Sequence, residues 1–271
     1  MICFPNAKIN LGLNVVEKRP DGYHNIETVF LPVDIKDALE FVPAPDLDAP
    51  YEWHSSGLEI DAPAEGNICI KALMAMRQRY PQIPNLRIHL HKHIPFGAGL
   101  GGGSADGAFM LVRLNDYFNL GATPCELKII AAALGADCAF FIDNRPSFAT
   151  GIGNVLEPID LDLKGHSIVV VVPPVHISTP EAYRQIKPAY PSVRLKDALR
   201  GPIHTWRHTV ANDFEGPVFQ MYPIIQQAKE DMYAQGAVYA GMSGSGSSVF
   251  GIFAHKPLPD FLGMFCFAGE L

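Results

Sequence analysis

The chain lacks most of what would mark it as nucleic-acid-coating, secreted or membrane-bound. It has no basic run: 21 Lys and Arg against 28 Asp and Glu leave a formal charge of −7 over 271 residues. Neutralising a phosphate backbone takes clustered cations, so nucleic acid is not an expected partner. One small anion is a different matter, because backbone amides and a few local cations can hold it. Cysteine is sparse, with Cys3, Cys69, Cys125, Cys138 and Cys266 scattered, odd in number and free of any CxxC pair. That excludes a disulfide framework and fits a reducing cytosol. Met1 to Pro5 shows no basic stretch followed by an apolar one, so no secretory signal is expected. The apolar run Ile168 to Val172 ends at Pro173-Pro174, far too short to span a bilayer, and no membrane partner is expected. Internal repeats and low-complexity segments are absent too.

What is there is a composition with enough apolar residues for a real core, 48% hydrophobic and 18% charged. A first strand is expected over about Ala7 to Val16, followed by a turn at Arg19-Pro20-Asp21-Gly22. The stretch Phe41 to Pro63, rich in Pro, Asp and Ala, reads as a surface excursion. Asn67 is a candidate N-cap for a helix to about Tyr80. Leu86, Ile88 and Leu90 alternate with Arg87, His89 and His91, the mark of a half-buried strand. A helix is expected from about Ser104 to Phe118. Another starts at Thr123-Pro124-Cys125-Glu126, a capping box with proline at the first helical position. A second domain is expected to begin near Leu161, giving domains over 1–160 and 161–271. It holds a buried strand (Ile168 to Val172), a helix opened by Thr179-Pro180 and a late strand (Val249 to Phe253). Strands and helices mix without regular βαβ alternation, which points to an α+β fold.

The feature with most chemical content is Pro95-Phe96-Gly97-Ala98-Gly99-Leu100-Gly101-Gly102-Gly103-Ser104-Ala105-Asp106. Five glycines in the seven residues from Gly97 to Gly103, between a strand and a helix, give a backbone that can wrap closely round a ligand. The first N–H groups of the helix and its dipole then favour phosphate oxygens. The plainer alternative is a tight turn, for which one or two glycines would do. The segment also reads as G-x-G-x-x-G, but a dinucleotide fingerprint follows a fully apolar strand and needs an acidic residue about 20 positions on. The strand here is half polar, and Tyr117 to Pro124 holds no acid. A Walker A loop would end in Gly-Lys-Ser/Thr, and this one ends in Gly-Gly-Ser. The His-Arg-Asp and Asp-Phe-Gly strings of protein kinases do not occur. His89, His91 and His93 share a strand face, and a solvated face explains them better than a metal.

Three motifs lie in order: Pro5-Asn6-Ala7-Lys8-Ile9-Asn10-Leu11, the glycine loop with Ser104, and Met242-Ser243-Gly244-Ser245-Gly246-Ser247-Ser248. Together they resemble the three motifs of the GHMP kinases. Asp21-Gly22-Tyr23-His24, Gly135 to Phe141, and Ala211-Asn212-Asp213-Phe214-Glu215 narrow the resemblance. They look like the branch that phosphorylates the 2-hydroxyl of 4-diphosphocytidyl-2-C-methyl-D-erythritol on the non-mevalonate route to isoprenoids. The resemblance runs over about residues 5 to 253.

It implies an N-terminal domain like the second domain of ribosomal protein S5 and a ferredoxin-like C-terminal domain, with the site in the cleft between them. It implies ATP and Mg2+ as cofactors and a substrate carrying a cytidine diphosphate. The chain is expected to be a monomer or weak homodimer. ATP phosphates would lie on Pro95, Gly97, Ala98, Gly99, Leu100, Gly101, Gly102, Gly103, Ser104 and Ala105, with Ser104 also reaching the metal. Ala105 stands where many relatives carry a second serine. Asp137 would be the general base, with an Asx turn or a helix cap as its plainer role. Lys8 would hold Asp137 ionised and offset phosphoryl charge. Lys8 and Asn10, two apart on a strand, share a face. Tyr23 and His24 would hold cytosine and Tyr183 would stack on it, while Gly241 to Ser248, with Gly244 and Ser245 at the substrate, would line the site from the second domain. The competing readings are another GHMP kinase, of homoserine or mevalonate type, and a non-catalytic ligand-binding relative.

Overall fold

The computed structural model describes residues 1–60 and 63–271. In chain order the strands and helices are β1 (Ile2–Cys3), β2 (Asn6–Lys18), β3 (His24–Lys36), β4 (Ala38–Pro43), β5 (Tyr51–Gly57), α1 (Ile68–Arg79), β6 (Leu86–Lys92), α2 (Gly102–Phe118), α3 (Pro124–Leu134) and α4 (Cys138–Asp143). There follow β7 (Ser147–Thr150), β8 (Val155–Pro158), β9 (Ser167–Val172), α5 (Thr179–Arg184), α6 (Leu195–Arg200), α7 (Trp206–Thr209), α8 (Glu215–Met221), α9 (Pro223–Ala234), β10 (Tyr239–Met242), β11 (Val249–Phe253) and β12 (Phe265–Glu270). The chain divides into two compact units that interleave in sequence. The first comprises Met1–Ala7, Asp34–Phe96 and Gly101–Arg145, and the second Lys8–Val33, Gly97–Leu100 and Pro146–Leu271.

The first unit is a sheet ordered β1-β4-β6-β5 with helices α1 to α4. Strand β6 follows its alternation. Leu86, Ile88 and Leu90 are buried with Leu73, Met110 and Leu114 in one core, while His89 and His91 face outward and both meet the Ser56 hydroxyl. Asn67 caps α1 by accepting from the Cys69 N–H. Thr123 and Glu126 cap α3 reciprocally, with Pro124 at its start. The Phe41–Pro63 stretch is more than an excursion. Phe41 is fully buried at the end of β4, and β5 pairs parallel with β6, Tyr51 opposite Leu86. Of that stretch, positions 61 and 62 lie outside the described residues.

The second unit contains a sheet ordered β2-β3-β7-β8, a sheet ordered β10-β11-β9-β12, and helices α5 to α9. Strand β9 is the apolar run Ser167–Val172, antiparallel to β11 on one side and β12 on the other. Its buried valines pack with Ile225, Ala228 and Met232 of α9. The tail after Phe253, which carries no recognisable motif, ends in the edge strand β12. Sheets that are mainly antiparallel, with helices set apart from regular βαβ crossovers, make this the α+β architecture expected from the sequence.

Inside the first unit, Lys92 at the end of β6 points its ammonium between two carboxylates. It is hydrogen-bonded to Asp37 Oδ2 and, at 2.9 Å, to Asp106 Oδ2, and its side chain has no solvent exposure. Burial opposes the Lys92 charge, but the attraction of Asp106 and Asp37 outweighs it and the ammonium titrates above its usual range. Burial pushes the Asp106 carboxyl up to about 8, helped by the Asp37 charge and resisted by Lys92. Asp106 therefore keeps a proton at neutral pH that the unfolded chain would have released. Folding takes up that proton, so this group's contribution to stability is complete below the ordinary carboxyl range and is lost as pH rises through about 8. We predict that, in urea unfolding, the wild type loses stability relative to Asp106→Asn between about pH 5 and pH 8, by up to about 1.4 kcal/mol per pH unit. Parallel pH profiles for the two proteins would contradict the assignment.

Candidate active site

The glycine loop needs its glycines for two separate reasons. Gly97, Gly99 and Gly101 have φ of 62°, 78° and 69°, in the left-handed region where a side chain is strained. At Gly99 space is also missing, since a Cβ would fall 2.1 Å from the Ser243 carbonyl oxygen. Ala98 and Leu100, between these positions, are buried and anchor the loop. Gly101 is the N-cap of α2, so the helix begins two residues earlier than the polar Ser104 suggests. A Cβ at Gly103 would meet nothing within 4 Å, so the backbone there borders open space. The first N–H groups of a helix have no intrahelical acceptor, and here they follow directly on the loop.

In the first unit, Ser104 is placed beside the turn that carries Asp137. The Ser104 hydroxyl hydrogen-bonds the Cys138 thiol, and a Cβ on Gly135 would lie 3.8 Å from Ser104 Oγ. Burial pushes that thiol up to about 11, with the nearby Asp137 charge adding to it and the Ser104 bond opposing it. Asp137 is half-buried at the N-cap position of α4, yet its side chain makes no capping bond there.

In the second unit, strand β2 carries Lys8, Asn10 and Asn14, and all three are buried. Lys8 Nζ donates to Asn10 Oδ1 at 2.6 Å and lies 5.0 Å from the Phe30 ring centroid. Asn10 Nδ2 donates to the Thr28 hydroxyl, which itself donates to the Gly12 carbonyl. Lys8 is thus an ammonium held in a dry, hydrogen-bonded setting at 3% exposure, not one arm of a solvated strand face.

The Gly241–Ser248 segment is stitched to both neighbours. Ser243 Oγ accepts from the Asn10 N–H at 3.0 Å and donates to the Gly99 carbonyl at 2.8 Å. The Ser248 N–H donates to the Ala98 carbonyl, and the Lys8 N–H to that of Leu100. Asn212 donates to the carbonyls of Met242 and Gly244, which holds the segment's shape. Gly244 is tucked against Asn10, where a Cβ would lie 3.3 Å from Oδ1, and Ser245 Oγ meets the Thr179 hydroxyl at 3.3 Å. Sequence reasoning gave no role to Thr28 or Asn212, and gave Ser243 one only as part of the Gly241–Ser248 segment that lines the site. Asn212 and Ser243 did stand inside motifs that were singled out, and Thr28 carried no signal of its own.

His24 and Tyr183 are brought together, with ring centroids 4.7 Å apart and planes 17° from parallel. Tyr183 also meets the edge of Phe214. Burial, followed by the Lys18 charge, holds the His24 imidazole below its usual range, so it is neutral at physiological pH. Tyr23 stands out at 63% exposure.

Comparison with known proteins identifies the family. Residues 67–145 match the family described as GHMP kinases N terminal domain, and residues 195–262 match GHMP kinases C terminal. A 4-diphosphocytidyl-2-C-methyl-D-erythritol kinase of Bacteroides fragilis is 54% identical, with all of both chains covered. One from Parabacteroides distasonis is 57% identical over 95% of this chain and 93% of its own. A crystal structure of 4-(cytidine 5'-diphospho)-2C-methyl-D-erythritol kinase superposes with a TM-score of 0.81 at 32% identity, covering 94% of this chain and 91% of that one. The chain belongs to the GHMP kinases, in the family of the 4-diphosphocytidyl-2-C-methyl-D-erythritol kinases.

Proposed function

We propose that this protein transfers the γ-phosphoryl group of ATP to the 2-hydroxyl of 4-diphosphocytidyl-2-C-methyl-D-erythritol, in the cytoplasm, as a step of the non-mevalonate isoprenoid route. The observation that carries the reading is identity of 54% over the whole chain to a relative named for this acceptor. No helix among the described residues is long and apolar enough to cross a membrane.

Phosphoryl transfer asks a protein for alignment and charge neutralisation more than for covalent help. The loop from Gly97 to Gly103 and the start of α2 cradle the phosphates. Asp137 accepts the proton of the acceptor hydroxyl. Lys8 holds charge in place: buried and already bonded to Asn10, it loses little freedom when it meets an anion. Magnesium binds through few protein oxygens and mostly through phosphates and water. A lone hydroxyl at the head of α2, with no group of three or more His, Cys, Asp or Glu fit to hold a metal among the described residues, suits that mode. Ser104 is therefore the residue that would hold it, and the ion would supply neutralisation of the phosphate charge.

For the cytosine, His24 offers the edge of a neutral ring that can donate at one nitrogen and accept at the other. Tyr183 covers a face of His24, Tyr23 packs beside the base, and Gly244 and Ser245 line the acceptor side.

Two outcomes are expected. Wild-type enzyme supplied with ATP phosphorylates the cytidylyl acceptor and leaves mevalonate and homoserine untouched, and His24→Ala raises the acceptor KM by about tenfold or more with the ATP KM within a few-fold. Phosphorylation of a simple alcohol, or an effect confined to the ATP KM, would move the chain to another branch. Asp137→Asn keeps the fold and binds ATP but loses about 10²–10⁴-fold in kcat, measured in single turnover. Near-normal kcat would remove Asp137 from the role of base.

A further inference from the structure

The Asp37–Lys92–Asp106 cluster takes no part in the chemistry above, and stability alone does not explain it. Three ionisable groups buried together are seldom better than an apolar trio of the same volume. Here Asp106 Oδ1 is also buried without a hydrogen-bond partner. What distinguishes the cluster is where its members stand in the chain. Asp37 Oδ1 accepts the N–H groups of His93 at 2.6 Å and Ile94 at 2.8 Å, the two residues through which β6 leads into the glycine loop. Asp106 lies in α2, just past the loop's other end. The Lys92 ammonium joins the two carboxylates and sits 5.1 Å from the ring centroid of Phe96, a loop residue. A Cβ at Gly102 would fall 3.0 Å from Lys92 Nζ and 2.8 Å from Ile94 Cγ2, so the first helical residue packs directly on the same cluster.

A glycine loop has almost no side chains with which to fix itself, and each glycine has more freedom to lose than any other residue. Its order has to come from its ends, and a loop already ordered spends less of its binding energy on becoming so. We infer that Asp37, Lys92 and Asp106 are positioning residues, a clamp that fixes both ends of the glycine loop and thereby sets affinity for the triphosphate of the nucleotide without touching it. The inference rests on the kinase reading given above.

The test is calorimetric titration of ATP, without acceptor, into the full-length wild type, Asp106→Ala and Asp106→Asn, with folding checked by circular dichroism. Asp106→Ala is expected to bind ATP about tenfold or more weakly, and Asp106→Asn, which restores a neutral group of the same shape, to stay within about threefold of wild type. In steady state Asp106→Ala should raise the ATP KM by a similar factor, with kcat and the acceptor KM within about threefold. If Asp106→Ala does not fold, Asp37→Asn takes its place. It retains an acceptor for His93 and Ile94 but weakens the hold on Lys92, and the same loss confined to ATP is expected. Wild-type affinity in a folded Ala variant, a loss shared equally by ATP and acceptor, or an Asn variant as weak as Ala would overturn the clamp. A wild type that binds no ATP would instead overturn the kinase reading beneath it.

Discussion

Main chain meets main chain where the Gly99 backbone passes the Ser243 carbonyl, with only 2.1 Å between that oxygen and the position a Cβ would take. Around this contact the second unit organises Lys8, Asn10 and Ser243. Ser243 bonds Gly99 and Asn10 with the same hydroxyl, Asn10 receives Lys8, and Ser248 and Lys8 tie the backbones of Ala98 and Leu100. A side chain at position 99 would push apart the very strands of hydrogen bonds that hold a buried ammonium in place. Gly99 is thus required by the packing of backbone on backbone, as much as by the phosphates it is proposed to hold.

The first unit solves a different problem. The loop leaves β6 and enters α2 within a few residues, and the chain must hold that sharp passage open. Two aspartic acid side chains and a lysine ammonium, all buried, bracket it. Their cost in desolvation is offset partly by the proton that Asp106 keeps, because the interior then does not have to hold two negative charges. Ser104 and Asp137 are presented nearby on separate helices, the first from α2 and the second at the start of α4.

Much of this was legible in the chain. The alternation Leu86, Ile88, Leu90 gave β6, Asn67 and Thr123 gave two helix starts, and the density of glycines gave the loop, because each rests on local periodicity or local hydrogen bonding. Helix α2 starts at Gly102, two residues before Ser104, because its cap is Gly101 in a left-handed conformation, which a run of glycines does not mark. Strand β5 hid inside a stretch rich in Pro and Asp. Only its pairing with β6, which brings Tyr51 and Trp53 against the core, makes it a strand. Strand β12 was missed for the same reason, since its half-buried Phe265 and Phe267 matter only beside β9. The Asp37–Lys92–Asp106 cluster joins residues 55 positions apart, and the Ser243–Asn10 bond spans 233. No window on a sequence reports such contacts. A lysine ending an exposed-looking strand reads as surface until its partners are known.

The glycine loop, held by its contact with Ser243, is the proposed nucleotide site. Titration of ATP against Gly99→Ala tests it most directly, because one methyl group meets both the positive φ and the carbonyl at 2.1 Å. The account predicts a variant that keeps its secondary structure and binds ATP at least about tenfold more weakly than the wild type. A folded Gly99→Ala protein with wild-type affinity for ATP would contradict it.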